Sequence, residues 1–444
     1  MRDILGADFY TYQGFFEKAS EIAMYYGFRP IETPMLEREN VFTSGVGKET
    51  DIVEKEMYTL RVRGGEKLAL RPEGTASIMR AYIEGGMHTM PQPVMLYYYG
   101  PFFRHDKPQR GRYREFFQFG LEVLGTSKSI ADAMVIQIMT TILKEAGFKN
   151  LCVLVNSIGD KTCRPHYIRE LVSYYRKNMG DLCGNCRQRL KGNPLRLLDC
   201  KELQCVALKE NAPQSVAHLC EHCKEHFREV LECLDTIKVP YSIDHTLVRG
   251  LDYYSRTVFE IIDDEDLICI GPRDEQKKPA KENKEKDGDV EGAPEERALP
   301  LALGGGGRYD YLAKQLGSKK EISAVGGSIG VDRVVEAPQL VSLTPRIIKK
   351  PKIYFIQIGF EAKLKSLTVI EVLRKARIPL VHALSKDKLS IQLAIAEKYG
   401  IPYVVILGQK EALEESVIVR DMSNRSQDTV KIEKLEDYLK KKKV

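Results

Sequence analysis

Residues 94–104 and 116–124 are two runs rich in aromatic and β-branched side chains, and the polar loop between them carries Lys107, Arg110, Gly111, Arg112 and Arg114. Two such runs around one glycine-containing loop predict a long antiparallel hairpin. Elements on either side follow from periodicity. Phe15, Ala19, Ile22 and Tyr26 recur at helical spacing ahead of Gly27, which predicts an amphipathic helix over 11–26, followed by a strand over 28–32 that ends at Pro34. Near residue 324, Ala-Val-Gly-Gly-Ser-Ile-Gly-Val-Asp-Arg-Val reads as a glycine-rich strand entering a helix at about Val331. From Lys349 onward, apolar strands over 353–358, 380–384 and 403–407 alternate with helical stretches 361–376 and 388–399, the pattern of a compact α/β domain. Pro338 and Pro345 fall in the linker before it.

A chain of 444 residues, 43% of them hydrophobic, has room for roughly two to four domains with a sizeable core. No apolar run approaches the roughly 18 residues that cross a bilayer, and the N-terminus lacks a signal-peptide pattern, so a cytoplasmic protein without a membrane partner is expected. The ten cysteines should then be reduced thiols or metal ligands. Net charge is +6, but 68 basic and 62 acidic residues are interspersed, and the distribution says more than the sum. The basic hairpin loop suits a phosphate backbone. Lys440 to Lys443 suit one too, or are a solvated terminus.

The stretch 272–300 is dominated by Lys, Glu, Asp, Pro and Gly and cannot bury enough apolar surface to order itself. It is read as a disordered insertion between a strand ending near Ile270 and one starting near Leu301, with a partner-binding segment as the alternative. Four glycines, 304–307, follow. No Gly-Lys-Ser/Thr comes after them, and no Gly-x-Gly-x-x-Gly opens a helix, so neither phosphate-binding loop is present. Their simplest role is to let backbone pass close to a ligand.

Cys183-Gly-Asn-Cys186 and Cys220-Glu-His-Cys223 each place two thiols on one tight turn, and pooled they would make one tetrahedral zinc site. Cys200, Cys205, His222 and His226 are further ligands nearby; reduced, unliganded cysteines are the alternative.

Three blocks together carry a family resemblance: Leu70-Arg-Pro-Glu-Gly-Thr75; Gly100-Pro-Phe-Phe-Arg-His105 continuing through the basic loop to Phe116-Phe-Gln-Phe-Gly-Leu-Glu122; and Leu247-Val-Arg-Gly-Leu-Asp-Tyr-Tyr254. In this order they resemble the histidyl-tRNA synthetase family across essentially the whole chain. The resemblance implies an α+β catalytic domain built on an antiparallel sheet, the class II synthetase fold, with an insertion domain, and a C-terminal α/β domain that reads the tRNA anticodon. The corresponding boundaries are 1–160 and 238–337 for the catalytic domain, 161–237 for the insertion, 338–350 for the linker and 351–444 for the anticodon-binding domain. Partners implied are ATP with Mg2+, L-histidine and tRNA(His), and Pro34 matches the proline of a homodimer interface.

Activating an amino acid requires its carboxylate to attack the α-phosphate of ATP, so the site must hold two anions together. Arginine forks suit that task, because they are permanently charged and bind phosphate through two nitrogens. The resemblance places Arg104 on the α-phosphate and the substrate carboxylate, Arg333 at the γ-phosphate, and Arg249 beside the α-phosphate, where charge grows in the transition state; Arg112 joins the ATP-binding set. It places Glu73, Gly74 and Thr75 at the α-amino group, with Gln118 close by. Glu122 and Tyr254 fall at the imidazole, and Tyr253 and Tyr309 form the walls. Gln109, Arg110 and Arg112 are the expected readers of the tRNA acceptor end, with phosphate contact alone as the alternative.

Two departures stand out. Asp332 precedes Arg333 where the family usually has Glu, which keeps the charge, shortens its reach and should leave activity intact; and the chain starts at Met1-Arg-Asp-Ile-Leu without the Gly-Thr lead-in of many members, which puts its first contacts in doubt. Synthetase-like subunits that only sense histidine or tRNA are the alternative function. They tend to lose the catalytic arginines or the anticodon module, both kept here. A zinc-containing RNA-binding protein without chemistry would account for the cysteines but not for the histidine pocket.

Overall fold

A computed structural model describes residues 2–47, 50–106, 111–264, 269, 302–346, 351–382 and 388–442. The chain divides into two units, Met1–Pro345 and Arg346–Val444.

The first unit opens with helix α1 (Gly6–Tyr25), which begins five residues earlier than its apolar spacing predicts and buries Tyr12, Phe15, Phe16, Ala19, Ile22 and Ala23. Short strands β1 (Arg29–Pro30) and β2 (Leu36–Arg38) follow, then α2 (Glu39–Gly45), β3 (Thr59–Arg61), β4 (Lys67–Leu70) and α3 (Thr75–Glu84). The predicted hairpin is β5 (Val94–Phe103) and β6 (Glu115–Leu124), paired antiparallel over its full length. After α4 (Ser129–Glu145) and β7 (Leu151–Ser157) comes a helical stretch: α5 (Arg164–Lys177), α6 (Gly184–Arg189), α7 (Leu203–Glu210) and α8 (Glu221–Thr236). The sheet resumes with β8 (Tyr241–Ile243), β9 (Ser255–Asp263) and β10 (Gly304–Arg308); α9 (Leu312–Gln315), β11 (Ala324–Gly330) and α10 (Val331–Val335) complete the unit.

Eight strands form one sheet in the order β1-β5-β6-β11-β10-β9-β7-β8, with β2, β4 and β3 in a small separate sheet. Every pairing in the large sheet is antiparallel except the two at its edges, β1 with β5 and β7 with β8. Alternation along a strand divides the faces. Tyr97, Phe119, Leu121, Val123, Phe259 and Ile329 pack into one apolar cluster with α1, α4 and α8. The intervening residues Leu96, Tyr98, Gln118, Gly120 and Glu122 lie on the opposite face, the one that carries the site below.

Buried Arg308 ties the sheet to α4. Its guanidinium pairs with Asp132 and with Asp310 (3.2 Å) and donates to the carbonyls of Thr126 (2.9 Å) and Lys128 (3.1 Å). Although burial opposes it, Arg308, with His226, holds Asp132 down at about 2.

Two expectations are corrected or bounded here. Cys152 and Cys269 form a disulfide, with Cα atoms 6.3 Å apart, so these two cysteines are not reduced thiols; Cys152 on β7 lies opposite Ile262 of β9, which brings the chain beyond β9 back within reach. The charged insertion 272–300 lies outside the described residues. The strands that flank it, β9 and β10, are hydrogen-bonded antiparallel neighbours, with Gly304 opposite Ile261.

In the second unit, β12 (Ile353–Gln357), α11 (Phe360–Lys375), β13 (Leu380–His382), α12 (Leu389–Lys398) and β14 (Tyr403–Leu407) follow the predicted alternation closely; the predicted end of the second strand at 383–384 lies outside the described residues. The chain then adds α13 (Gln409–Leu413), a hairpin of β15 (Ser416–Asp421) and β16 (Gln427–Lys431), and α14 (Leu435–Lys441). The sheet order is β13-β12-β14-β15-β16, parallel across the first three strands and antiparallel across the last two. No described helix is long and apolar enough to cross a membrane.

Candidate active site

Glu122 lies on the other face of the large sheet, which packs against α3 through Leu96, Tyr98, Ala76 and Met79. It is fully buried, accepts a hydrogen bond from the Thr75 hydroxyl at 2.8 Å on one oxygen, and accepts the Tyr309 hydroxyl on the other. The facing strand leaves room for it: a Cβ at Gly326 would lie 1.6 Å from Glu122 Oε2. Burial, with the nearby Glu73 charge adding to it, pushes the carboxyl up to about 8 against the hydrogen bonds from Tyr309 and Thr75.

Glu73 stands at the start of α3 and caps it. Its two oxygens accept the backbone N–H groups of Thr75 and Ala76, each at 2.8 Å, where the orphan donors of a helix N-terminus need partners, and the Tyr253 hydroxyl donates to it at 3.2 Å. Burial raises this carboxyl too, against those hydrogen bonds. Tyr253 and Tyr254 pack at 4.7 Å between ring centroids, and Tyr253 meets Tyr309 edge-on at 5.7 Å. All three rings are buried.

The arginines gather beside these side chains. Arg104 leaves the end of β5, where its backbone N–H extends the hairpin by bonding Arg114 O at 2.9 Å; its Nε donates to Pro72 O at 2.9 Å, and its guanidinium lies over Phe116 at 5.3 Å from the ring centroid. Arg249 is ion-paired with Glu260 of β9, while its buried Nε finds no hydrogen-bond acceptor among the described residues. Arg333, on α10, donates to Gly111 O at 3.3 Å and Ala302 O at 2.5 Å.

Strand β10 explains the four glycines. A Cβ at Gly305 would fall 2.9 Å from Arg249 Nη1, and one at Gly307 would fall 2.9 Å from the Tyr254 ring. The strand is stripped of side chains so that these two groups can lie flat on the sheet.

These cations act on one another. Burial first, then Arg112 and more weakly Arg249 and Arg104, bring Arg333 down to about 10, with Glu260 opposing. Arg104 is likewise lowered by burial, with Glu56 and Glu73 opposing and Arg249 adding to the fall. For Arg249, burial works against the charge, but Glu260 more than offsets it and the group stays above its ordinary value. Repulsion within a half-enclosed group of guanidiniums is relieved by a polyanion, and a triphosphate supplies one.

Residues 1–268 match the family profile of histidyl-tRNA synthetase, and residues 352–442 match that of the anticodon binding domain. Over 425 residues the chain is 40% identical to the histidine–tRNA ligase of Dehalococcoides mccartyi, covering 96% of this chain and 94% of that protein. The chain belongs to the histidyl-tRNA synthetase family. The corresponding ligase of Desulforamulus reducens is 36% identical over 438 residues, 99% of this chain and 97% of the other. The crystal structure of apo S. aureus histidyl-tRNA synthetase superposes with a TM-score of 0.74 at 27% identity, covering 99% of this chain and 98% of that one. The class II fold is therefore that of a histidyl-tRNA synthetase.

Of the residues named from the histidyl-tRNA synthetase resemblance, Glu73, Thr75, Glu122, Tyr253, Tyr254 and Tyr309 lie together in one linked group, and Arg104, Arg112, Arg249 and Arg333 in one electrostatic group. Gly74 precedes α3, where a Cβ would run into the Tyr98 ring. Gln118 shares Glu122's face of β6, opposite Gly100 and Gly330 in register. Arg112 is half-exposed, 3.5 Å from Asp106. Gln109 and Arg110 lie outside the described residues. Asp332 does more than carry charge: it accepts from Phe117 N at 2.6 Å, Tyr12 OH at 2.7 Å and Arg2 at 3.1 Å, and so ties α1, β6 and α10 together. Arg2 also pairs with Glu336 and lies 4.2 Å from the Tyr113 ring centroid, which settles the first contacts of the chain.

Tyr98 and Glu260 were not singled out in the sequence. Tyr98 is buried across from Gly120 and raised by burial and then by the Glu122 charge. Its signal was alternation, since on β5 it shares a face with Leu96, the partner of Glu122. Glu260 interrupts the apolar run Val258–Ile262 of β9, a charge among core residues.

The single zinc site is corrected. The two Cys-x-x-Cys pairs do not converge: Cys183 and Cys186 lie with Cys200 and Cys205, whereas Cys220 and Cys223 lie with Asp160 and Cys163. Each pair begins a different helix, α6 or α8, and each helix start faces a different loop.

Proposed function

We propose that this cleft is where the chain activates L-histidine with ATP and Mg2+, and from which it transfers the histidyl group to tRNA(His). The carboxylate oxygen of histidine attacks the α-phosphorus, the bond to the bridging oxygen breaks, and pyrophosphate leaves. The terminal adenosine hydroxyl of the tRNA then attacks the carbonyl carbon of the histidyl-adenylate and AMP leaves. The observation that carries this reading is the adjacency of the two halves of the site: mutually repelling guanidiniums beside a buried carboxylate–phenol pocket, both on one sheet face.

In this reading Glu73 and Thr75 receive the α-ammonium, with Gln118 close by. Glu122 accepts from one imidazole nitrogen and Tyr254 pairs with the other, while Tyr253, Tyr309 and Tyr98 form the walls. A pocket of buried polar groups leaves them unpaired when a ligand lacks matching atoms, and such sites discriminate by about 10⁴ or more. Arg104 grips the α-phosphate and substrate carboxylate, Arg333 meets the γ-phosphate, and Arg249 faces the charge that develops at phosphorus. Arg112, with Gln109 and Arg110, reaches the tRNA acceptor end; segment 161–237 leans on the acceptor arm; and unit 346–444 reads the anticodon. The working form is a cytoplasmic homodimer with Pro34 at its interface. Structural zinc belongs to the same reading, held away from the cleft. Histidine-dependent exchange of labelled pyrophosphate into ATP tests the chemistry directly, and a subunit that only senses histidine would bind it without exchange.

A further inference from the structure

Seven of the eight free cysteines fall into two groups outside the cleft. We propose that each group holds a zinc ion, giving the chain two structural metal centres: Cys183, Cys186, Cys200 and Cys205 in one, and Asp160, Cys163, Cys220 and Cys223 in the other.

The first group is compact enough for one four-coordinate ion. Zinc–thiolate bonds of about 2.3 Å set the edges of a four-sulfur site at about 3.8 Å. All four Sγ atoms lie within 4.8 Å of one another, and Cys183 and Cys200 are 3.9 Å apart. Backbone donors are already aimed at sulfur: Cys186 N–H at Cys183 Sγ, 3.4 Å, and Cys183 N–H at Cys205 Sγ, 3.3 Å. Such donors favour the thiolate, the form that binds metal, and each thiol gives up its proton to solvent on binding. Cys186, Cys200 and Cys205 are buried in a helical stretch of short elements, where an ion supplies a cross-link that a small core does not.

The second group replaces one sulfur by a carboxylate, a ligand zinc accepts. Asp160 Oδ1 lies 3.5 Å from Cys163 Sγ, and Asp160 N–H points at that sulfur at 3.4 Å. Cys220 and Cys223 approach from the first turn of α8. The loop that this centre would fix is joined to the histidine pocket: Arg164, at its end, donates to Tyr254 O at 2.6 Å, and Arg256 N–H bonds Gly159 O at 2.8 Å. The first centre reaches the same segment too, because Asn193, between its ligand pairs, donates to Asp252 at 2.5 Å. The two ions would thus both brace the Leu247–Tyr254 peptide, one through Tyr254 and the other through Asp252.

Elemental analysis of the full chain, purified reduced and without chelator, should give about two zinc ions per chain, and X-ray absorption should give an average between three and four sulfurs per zinc. Cys200→Ser and Cys220→Ser should each leave about one ion. A wild-type chain with no zinc or one zinc overturns the proposal, as does a Cys200→Ser chain that keeps two. One ion shared by both Cys-x-x-Cys pairs would give one zinc, untouched by Cys200→Ser. If either variant fails to fold, the wild-type stoichiometry and sulfur count decide alone.

Discussion

Arg249 and Glu260 are ion-paired across the bare backbone of Gly305, which lies opposite Glu260 in the β9–β10 register and directly under the Arg249 guanidinium. The pairing fixes where a buried cation points before any substrate arrives. Preorganisation of this kind stabilises a transition state without a reorganisation cost at the moment of reaction. It also leaves Arg249 one partner short, since its Nε has no acceptor among the described residues.

Arg249→Ala should therefore reduce histidine-dependent pyrophosphate exchange by about 100-fold or more, while histidine binding measured by calorimetry weakens far less. A fall in exchange of less than about tenfold would remove Arg249 from this role.

Glu122→Gln tests the pocket. An amide cannot offer an imidazole N–H the same negative charge, so the KM for histidine should rise by about tenfold or more while the KM for ATP stays nearly constant. Equal rises in both would assign Glu122 to general site structure.

The same residue predicts a pH dependence in the ligand-free protein. Its folded value of about 8 lies above its ordinary 4.5, so between those values the folded chain holds a proton that the unfolded chain has released. The stabilisation is fully present below about 4.5 and is lost as pH rises through about 8. Thermal midpoints at pH 7 and pH 9 should show the wild type losing ground relative to Glu122→Gln. Parallel changes in the two proteins would contradict this.

Asp332→Ala should destabilise the first unit by about 2–3 kcal/mol, because the Phe117 N–H and the Tyr12 hydroxyl lose a buried acceptor. Denaturant titration measures it, and a change under about 0.5 kcal/mol would show that water or another group takes over.

Much of this site was legible in the sequence because its parts sit on regular elements. Glu122 and Gln118 are an even number of residues apart on a strand, and Glu73 precedes a helix start whose N–H groups need an acceptor. Tyr98 was missed because Tyr97, Tyr98 and Tyr99 are chemically alike, and only register, which a single strand does not reveal, assigns Tyr97 to the core and Tyr98 to the pocket. The cysteines were paired wrongly for a related reason. Cys-x-x-Cys spacing dictates a turn but says nothing of what that turn faces, and here the decisive partners are Cys200 and Cys205 for one pair and Asp160 and Cys163 for the other. The hairpin β15–β16 was missed because its second strand, Gln427–Lys431, has one buried residue, Val430, and so no apolar alternation to read.

In the proposed reaction the arginine group and the carboxylate–phenol pocket act as one active site for histidine activation. Pyrophosphate exchange into ATP, measured with purified full-length chain in Mg2+ with each amino acid supplied singly, tests it without tRNA. Exchange is expected with L-histidine and none above background with the other amino acids. Binding of histidine without exchange, or exchange driven by another amino acid, would contradict it.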